Sequence, residues 1–192
     1  MLPAELEQAI AGELASTEPR ALAAAARRLT ERYQRGAFAV ALREPADRAA
    51  YLAVRFPATF AANRDVFGHV RERLPRARFS SLLDLGAGAG AATWAAAAVL
   101  GVERITCVEH NQPFAELGRR LAAATGNGPL ARTQWLARDI SQIGDLPAHE
   151  VVVLSYVLGE IASRVQFRLR TPGDLAHQNE SVIGKFSYSN HV

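Results

Sequence analysis

Cysteine is nearly absent from this 192-residue chain, where Cys107 stands alone. A lone cysteine excludes an intrachain disulfide and any Cys-rich zinc or iron–sulfur site. Lysine is equally scarce: Lys185 is single, against 21 arginines. That skew reads as the imprint of a GC-rich genome. Long apolar runs are missing, so no segment is expected to span a membrane. The opening MLPAELEQAIAGELA has three glutamates and no basic residue, which does not suit a signal peptide. A strong net charge is lacking too, at +3 overall. These absences lead us to expect a cytoplasmic protein with no membrane and no metal among its partners.

What the chain does contain is organised around SSLLDLGAGAGAATWAAA, from Ser80 to Ala97. Leu82, Leu83 and Leu85 make a short apolar run that suits a strand buried on both faces. Asp84 sits inside it. Gly86, Gly88 and Gly90 follow at alternate positions, and an Ala-rich helix carrying Trp94 comes next. In such a strand–loop–helix the missing side chains let a ligand lie on the backbone, and the helix start offers unpaired N–H groups. Two cofactor classes use such a loop. Gly86, Gly88 and Ala91 satisfy the dinucleotide pattern G-x-G-x-x-G/A. Asp84-Leu85-Gly86-Ala87-Gly88-Ala89-Gly90 resembles the acidic-x-G-x-G-x-G pattern of S-adenosylmethionine (SAM) methyltransferases. Asp84 favours SAM, which brings an ammonium and a ribose; beside a pyrophosphate a carboxylate would repel. The bland alternative is a tight turn in an Ala/Gly-rich protein.

Strand and helix then alternate, which implies a parallel sheet with ligands at the carboxyl ends of its strands. Arg104–Val108 reads as the second strand, Thr133–Ala137 as the third and Val151–Leu154 as the fourth, with a helix over Gln112–Ala124. Glu109 lies 19 residues beyond Gly90 at a strand tip, where its carboxylate can accept from both ribose hydroxyls. It could equally be a solvated acid. Asp139 suits an acceptor for the adenine amino group or a helix cap, and Ile140 could pack on the adenine. His110 and Asn111 are placed at the site edge, and Ser155 at the end of the fourth strand. Cys107, Trp94 and Trp135 read as core residues. The expected cofactor-binding set is Asp84, Gly86, Ala87, Gly88, Gly90, Glu109, His110, Asp139, Ile140 and Ser155. The fourth strand ends in Ser155-Tyr156-Val157-Leu158 rather than the Asn/Asp-Pro-Pro-Tyr of base-amino methyltransferases. Cys107 is on the wrong strand for a pyrimidine nucleophile, and no catalytic residue is named.

Ahead of the sheet the periodicity predicts only helices: residues 3–15, Pro19 to about Tyr33 with Gly36 as its stop, Pro45 to Phe56, and Pro57 to about Leu74. Pro57 is expected to break the last two apart. Residues 1–79 carry 13 arginines against 9 acids, whereas residues 80–163 carry 5 against 8. The basic flanks could face nucleic acid, or the helices could merely cover the sheet.

Several segments together resemble the methyltransferase-like assembly factors of the mitochondrial small ribosomal subunit and their bacterial relatives. They are Leu2-Pro3, Leu29-Thr30-Glu31-Arg32-Tyr33, Ala50-Tyr51-Leu52-Ala53, Arg55-Phe56-Pro57-Ala58-Thr59, Leu82 to Gly90, Ser155-Tyr156-Val157-Leu158-Gly159-Glu160 and Lys185-Phe186-Ser187-Tyr188. The glycine loop is shared by many methyltransferases; the Tyr-Val-Leu-Gly-Glu and Lys-Phe-Ser-Tyr segments are more specific. The resemblance implies SAM binding, small-subunit rRNA or the small ribosomal subunit as partner, and a longer sheet than the four strands readable before Ala162. The family's cysteine cluster falls in the missing part, so none of its ligands carries over. The expected fold is α/β, a truncated Rossmann-like SAM-methyltransferase sheet (79–163) behind an N-terminal all-helical module (1–78), with a polar basic tail (164–192). The expected function is a SAM-dependent methyltransferase-like protein acting on or binding small-subunit rRNA. Its alternatives are a non-catalytic assembly or RNA-binding factor that keeps the fold and, less favoured, a small-molecule methyltransferase. The apolar edge of the fourth strand is expected to be covered by the tail, through Val165–Leu169 and Lys185–Tyr188, with a partner chain or rRNA completing the cover.

Overall fold

Strand β1 (Ser81–Leu85) is buried at every position, as its near-continuous apolar run requires. Alternate residues serve opposite faces. Leu82 joins the large core with Phe56, Phe60, Trp94 and Ile105. Leu83 and Leu85 join Val108 in a smaller cluster on the other face, with Leu136, Ile140, Val152 and Leu154 against it. The protein is described from a computed structural model, which covers residues 1–35, 44–140 and 148–157. Gly36, the Leu158-Gly159-Glu160 segment and the proposed tail strands lie outside those residues.

Strands β1, β2 (Arg104–Val108), β3 (Gln134–Leu136) and β4 (Val151–Val153) pair in parallel in the order β3-β2-β1-β4. The chain runs outward from β1 to β3, then returns to place β4 on the other side of β1. The carboxyl ends of β1 and β4 therefore flank a topological switch point, where open α/β sheets bind ligands. As expected, β4 forms an edge of the sheet among the described residues. Helix α5 (Ala91–Leu100) follows β1, and helix α6 (Gln112–Ala123) follows β2.

The helices ahead of the sheet are α1 (Ala4–Ala15), α2 (Pro19–Gln34), α3 (Pro45–Ala50) and α4 (Phe56–Arg73). Glu18 caps α2 by accepting from the Ala21 N–H at 2.8 Å. α4 lies along α5, and the alanines Ala91, Ala92, Ala95 and Ala96 are all buried there. Small side chains on α5 are what allow so close an approach. Arg71 of α4 then donates to the carbonyls of Ala77 and Leu100 at 2.7 Å each, which satisfies an orphan carbonyl at the end of α5. α1 is tied to α6 by a two-pronged contact of Arg120 with Glu13 at 2.6 and 2.9 Å.

Pro57 does not break the helix. Tyr51–Arg55 forms a π-helical turn joining α3 to α4, in which the Phe56 N–H donates to the Tyr51 carbonyl. A proline in a regular helix would leave one hydrogen bond unmade and collide with the preceding turn. A single widened turn accommodates it at the first positions of α4.

Trp135 is partly buried and packs against the large core. Its indole lies 3.5 Å from where a Cβ on Gly90 would stand, and it fills the space a side chain on Gly118 would need. Gly118, in the middle of α6, is thus required by the bulk of Trp135. Trp94 is buried as expected.

Candidate functional site

The loop after β1 turns back over β2. The N–H groups of Gly86 and Ala87 both donate to the Val108 carbonyl, at 2.8 and 3.0 Å. Gly86, Gly88 and Gly90 all have left-handed backbone, with φ of +72°, +56° and +88°. That conformation disfavours any residue with a Cβ, which accounts for glycine at every second position. Ala87 and Ala89 between them are buried.

Glu109 locks this loop. Its carboxylate accepts from the Gly88 N–H at 2.8 Å and from the Asn111 N–H at 2.7 Å. Asn111 in turn caps α6, its side chain accepting from the Phe114 N–H at 3.3 Å. The Glu109 side chain is only 7% exposed, so it is not a solvated acid. An ionised carboxylate has about four acceptor positions; the two remaining after these bonds suit a diol. His110 is exposed, with Nδ1 3.4 Å from a Glu109 oxygen, at the edge of the site.

Asp84 sits beneath the loop, against α5. One oxygen accepts from Thr93 Oγ1 at 2.6 Å, and Thr93 Oγ1 is 3.2 Å from the Cys107 sulfur. The other oxygen is buried without a hydrogen-bond partner among the described residues. Burial raises the Asp84 carboxyl to about 7; the Thr93 bond opposes this and the Glu109 charge adds to it. Burial likewise pushes the Cys107 thiol well up, with Asp84 adding to it, so it is a neutral core thiol rather than a nucleophile.

Two side chains lie over Gly86. A Cβ there would stand 2.5 Å from Val157 Cγ2 and 3.3 Å from Ile140 Cδ1. Ile140 thus reaches the loop, while Asp139 is exposed beside it. Ser155 lies past the end of β4, and its Oγ accepts from Asn63 Nδ2 at 2.8 Å. Asn63 is a buried residue of α4 that also donates to the Thr59 carbonyl. Between these two anchors Tyr156 takes φ of +61°, the one non-glycine residue with positive φ among those described, and is 60% exposed.

Sequence reasoning missed Val157, Asn63 and Tyr51. The Tyr51 hydroxyl is 3.5 Å from where a Cβ on Gly88 would stand. A polar residue on an otherwise apolar face, as with Asn63 near Phe56, Phe60 and Phe67, was the available signal. Among the described residues no group of three or more His, Cys, Asp or Glu could hold a metal, and no helix is long and apolar enough to cross a membrane.

A parallel β3-β2-β1-β4 sheet with a glycine loop at its switch point and an acid at the tip of β2 defines a Rossmann-like, methyltransferase-type fold behind a helical region. Residues 45–169, well over half of the chain, match the family described as mitochondrial small ribosomal subunit Rsm22. The chain belongs to that family. It is 27% identical over 117 residues to the human mitochondrial ribosome assembly protein METTL17, covering 59% of this chain and 26% of that protein. It thus spans about a quarter of the human protein's length. Among solved structures, the plantazolicin methyltransferase BpumL with a monoazolic desmethylPZN analog and SAH is similar at 11% identity and a TM-score of 0.43. That match covers 78% of this chain and 49% of BpumL. PH1948 from Pyrococcus horikoshii is similar at 16% identity and a TM-score of 0.39, over 83% of this chain and 61% of that one.

Proposed function

We propose that this chain binds SAM on the loop from Asp84 to Gly90 and acts on, or holds, small-subunit ribosomal RNA. The observation that carries the cofactor reading is Glu109, buried at the tip of β2 and bonded to the Gly88 N–H. It unites the loop backbone and a diol acceptor in one place. Gly88 leaves the loop backbone open to a ligand, and Ile140 supplies an apolar contact beside Gly86. Bound SAM supplies a methyl group on a sulfonium, already a strong donor, so the protein's part is positioning. Asp84 adds negative charge beneath the loop once ionised, which favours a cationic ligand. Binding over Gly86 requires Val157 to move aside.

Ribosomal RNA is supported by the family and by charge. Arg20, Arg27 and Arg32 on α2 and Arg35 just past it, with Arg73, Arg76 and Arg78 before β1, are exposed, where phosphates can reach them. Arg28, Arg71 and Arg120 are instead engaged internally, with Asp47, two carbonyls and Glu13. The single cysteine is an unpaired buried thiol, which suits the reducing cytoplasm we assign.

A second reading is an assembly factor that binds RNA without transferring a methyl group. It is favoured by the end of β4, where the Ser155 hydroxyl is engaged by Asn63 of α4. Purified small subunits incubated with methyl-tritiated SAM separate the two. Label in the rRNA supports the enzyme. SAM binding and salt-dependent subunit binding without label support the factor, and absence of both SAM and subunit binding contradicts the proposal.

A further inference from the structure

The helical segment ahead of the sheet contributes a side chain to the loop. Tyr51 is 9% exposed, and its ring is clamped edge-on between two phenylalanines. Phe114 of α6 lies at 4.7 Å and 74°, and Phe56 at 6.4 Å and 84°. Such edge-to-face pairs fix a ring's direction. The fixed ring brings its hydroxyl to Gly88, the residue whose N–H Glu109 holds. The π turn makes this possible. One extra residue in a turn rotates what precedes it by roughly 100° about the helix axis. Phe56, Phe60 and Tyr51 can then all join the large core, with Tyr51 also meeting Phe114 of α6 and the loop at Gly88.

The two ends of the loop differ in chemistry. Over Gly86 lie the apolar side chains of Val157 and Ile140; at Gly88 the neighbour is a hydroxyl. SAM has the same polarity, with a flat base at one end and a carboxylate and an ammonium at the other. We infer that Tyr51 is a further cofactor-binding residue, its hydroxyl meeting the amino-acid end of SAM at Gly88. This rests on the SAM reading above. A phenol has one donor and two acceptor positions, so it can serve a ligand alongside a partner within the protein.

Titration calorimetry of the full chain with two probes tests this. SAM has the amino-acid end; 5′-methylthioadenosine has the base, ribose and sulfur without it. Tyr51→Phe keeps the ring contacts, and its unfolding midpoint is measured alongside to show that it is folded. It should weaken SAM roughly tenfold, the scale of a hydrogen bond to a charged group, and leave methylthioadenosine unchanged. Phe114→Leu, which loosens the ring and keeps the hydroxyl, should show the same selectivity to a smaller extent. Equal SAM affinity in Tyr51→Phe and the parent overturns the inference alone, and so does equal weakening of both probes, since that is a packing effect. Should Tyr51→Phe not fold, Phe114→Leu decides by the same selectivity. A parent that binds neither probe overturns the SAM reading and this inference with it.

Discussion

Replacing Asp84 by Asn should change how stability depends on pH. In the folded chain Asp84 is fully buried and its carboxyl is held at about 7; in the unfolded chain it returns to 3.8. Burial is the main cause, with the Glu109 charge assisting and the Thr93 bond opposing. Because the folded value is the higher one, the folded chain keeps a proton that the unfolded chain releases between about pH 4 and pH 7. The Asp84 contribution is therefore complete below about pH 4 and is lost as pH rises toward 7. A separation of about three pH units at about 1.4 kcal/mol each gives a loss of roughly 4 kcal/mol. Asn cannot ionise, and its carbonyl still accepts from Thr93. Urea unfolding of parent and Asp84→Asn from pH 4.5 to pH 8.5 reports on Asp84, since titrations that do not feel its charge cancel in the difference. The variant should gain on the parent steadily up to about pH 7 and hold that gain above it. A difference constant across the window would refute the account of a buried, proton-holding Asp84.

Other consequences follow from the loop and from β4. Glu109→Gln leaves one acceptor for two N–H groups, so one charge-assisted bond worth roughly 1.5–3 kcal/mol is lost. SAM affinity should fall and hydrogen exchange at the Gly88 amide should speed up; unchanged exchange would mean Glu109 does not hold the loop. Tyr156 has left-handed backbone, so Tyr156→Gly should leave stability equal or higher. Tyr156→Val should cost roughly 1–2 kcal/mol, and a Val variant as stable as the Gly variant would contradict that backbone.

Strong periodicity made much of the fold readable in advance. The buried run Leu82–Leu85, the alternating glycines and the three following strands were found close to their observed ends, because short apolar runs bounded by turn residues mark strands. Glu109 was placed at a strand tip, but its role in tying Gly88 and Asn111 was not visible. A hydrogen bond from Gly88 to a residue 21 positions on depends on how β1 and β2 pair. Pro57 misled for a different reason. Local rules read proline as a break, whereas packing of Phe56 and Phe60 in the core keeps the helix running through a π turn. Tyr51, Asn63 and Val157 were unreadable as site residues because tertiary packing alone brings them to the loop and to the end of β4. Asp84 was noticed for its charge, yet only the structure shows it facing Thr93 beneath the loop.

Calorimetric titration of the full chain with SAM, run beside Gly88→Ala, tests the central claim most directly. Gly88 has φ of +56°, and a Cβ there would stand in ordinary contact with the Tyr51 hydroxyl at 3.5 Å, in the space where we place the ligand. The left-handed backbone costs an alanine roughly 1–2 kcal/mol, so unfolding must first show that the variant is folded. The parent should bind one SAM per chain, and the folded variant should bind at least tenfold more weakly, about 1.4 kcal/mol. No heat from the parent, or equal affinity in parent and variant, would contradict a SAM site on this loop.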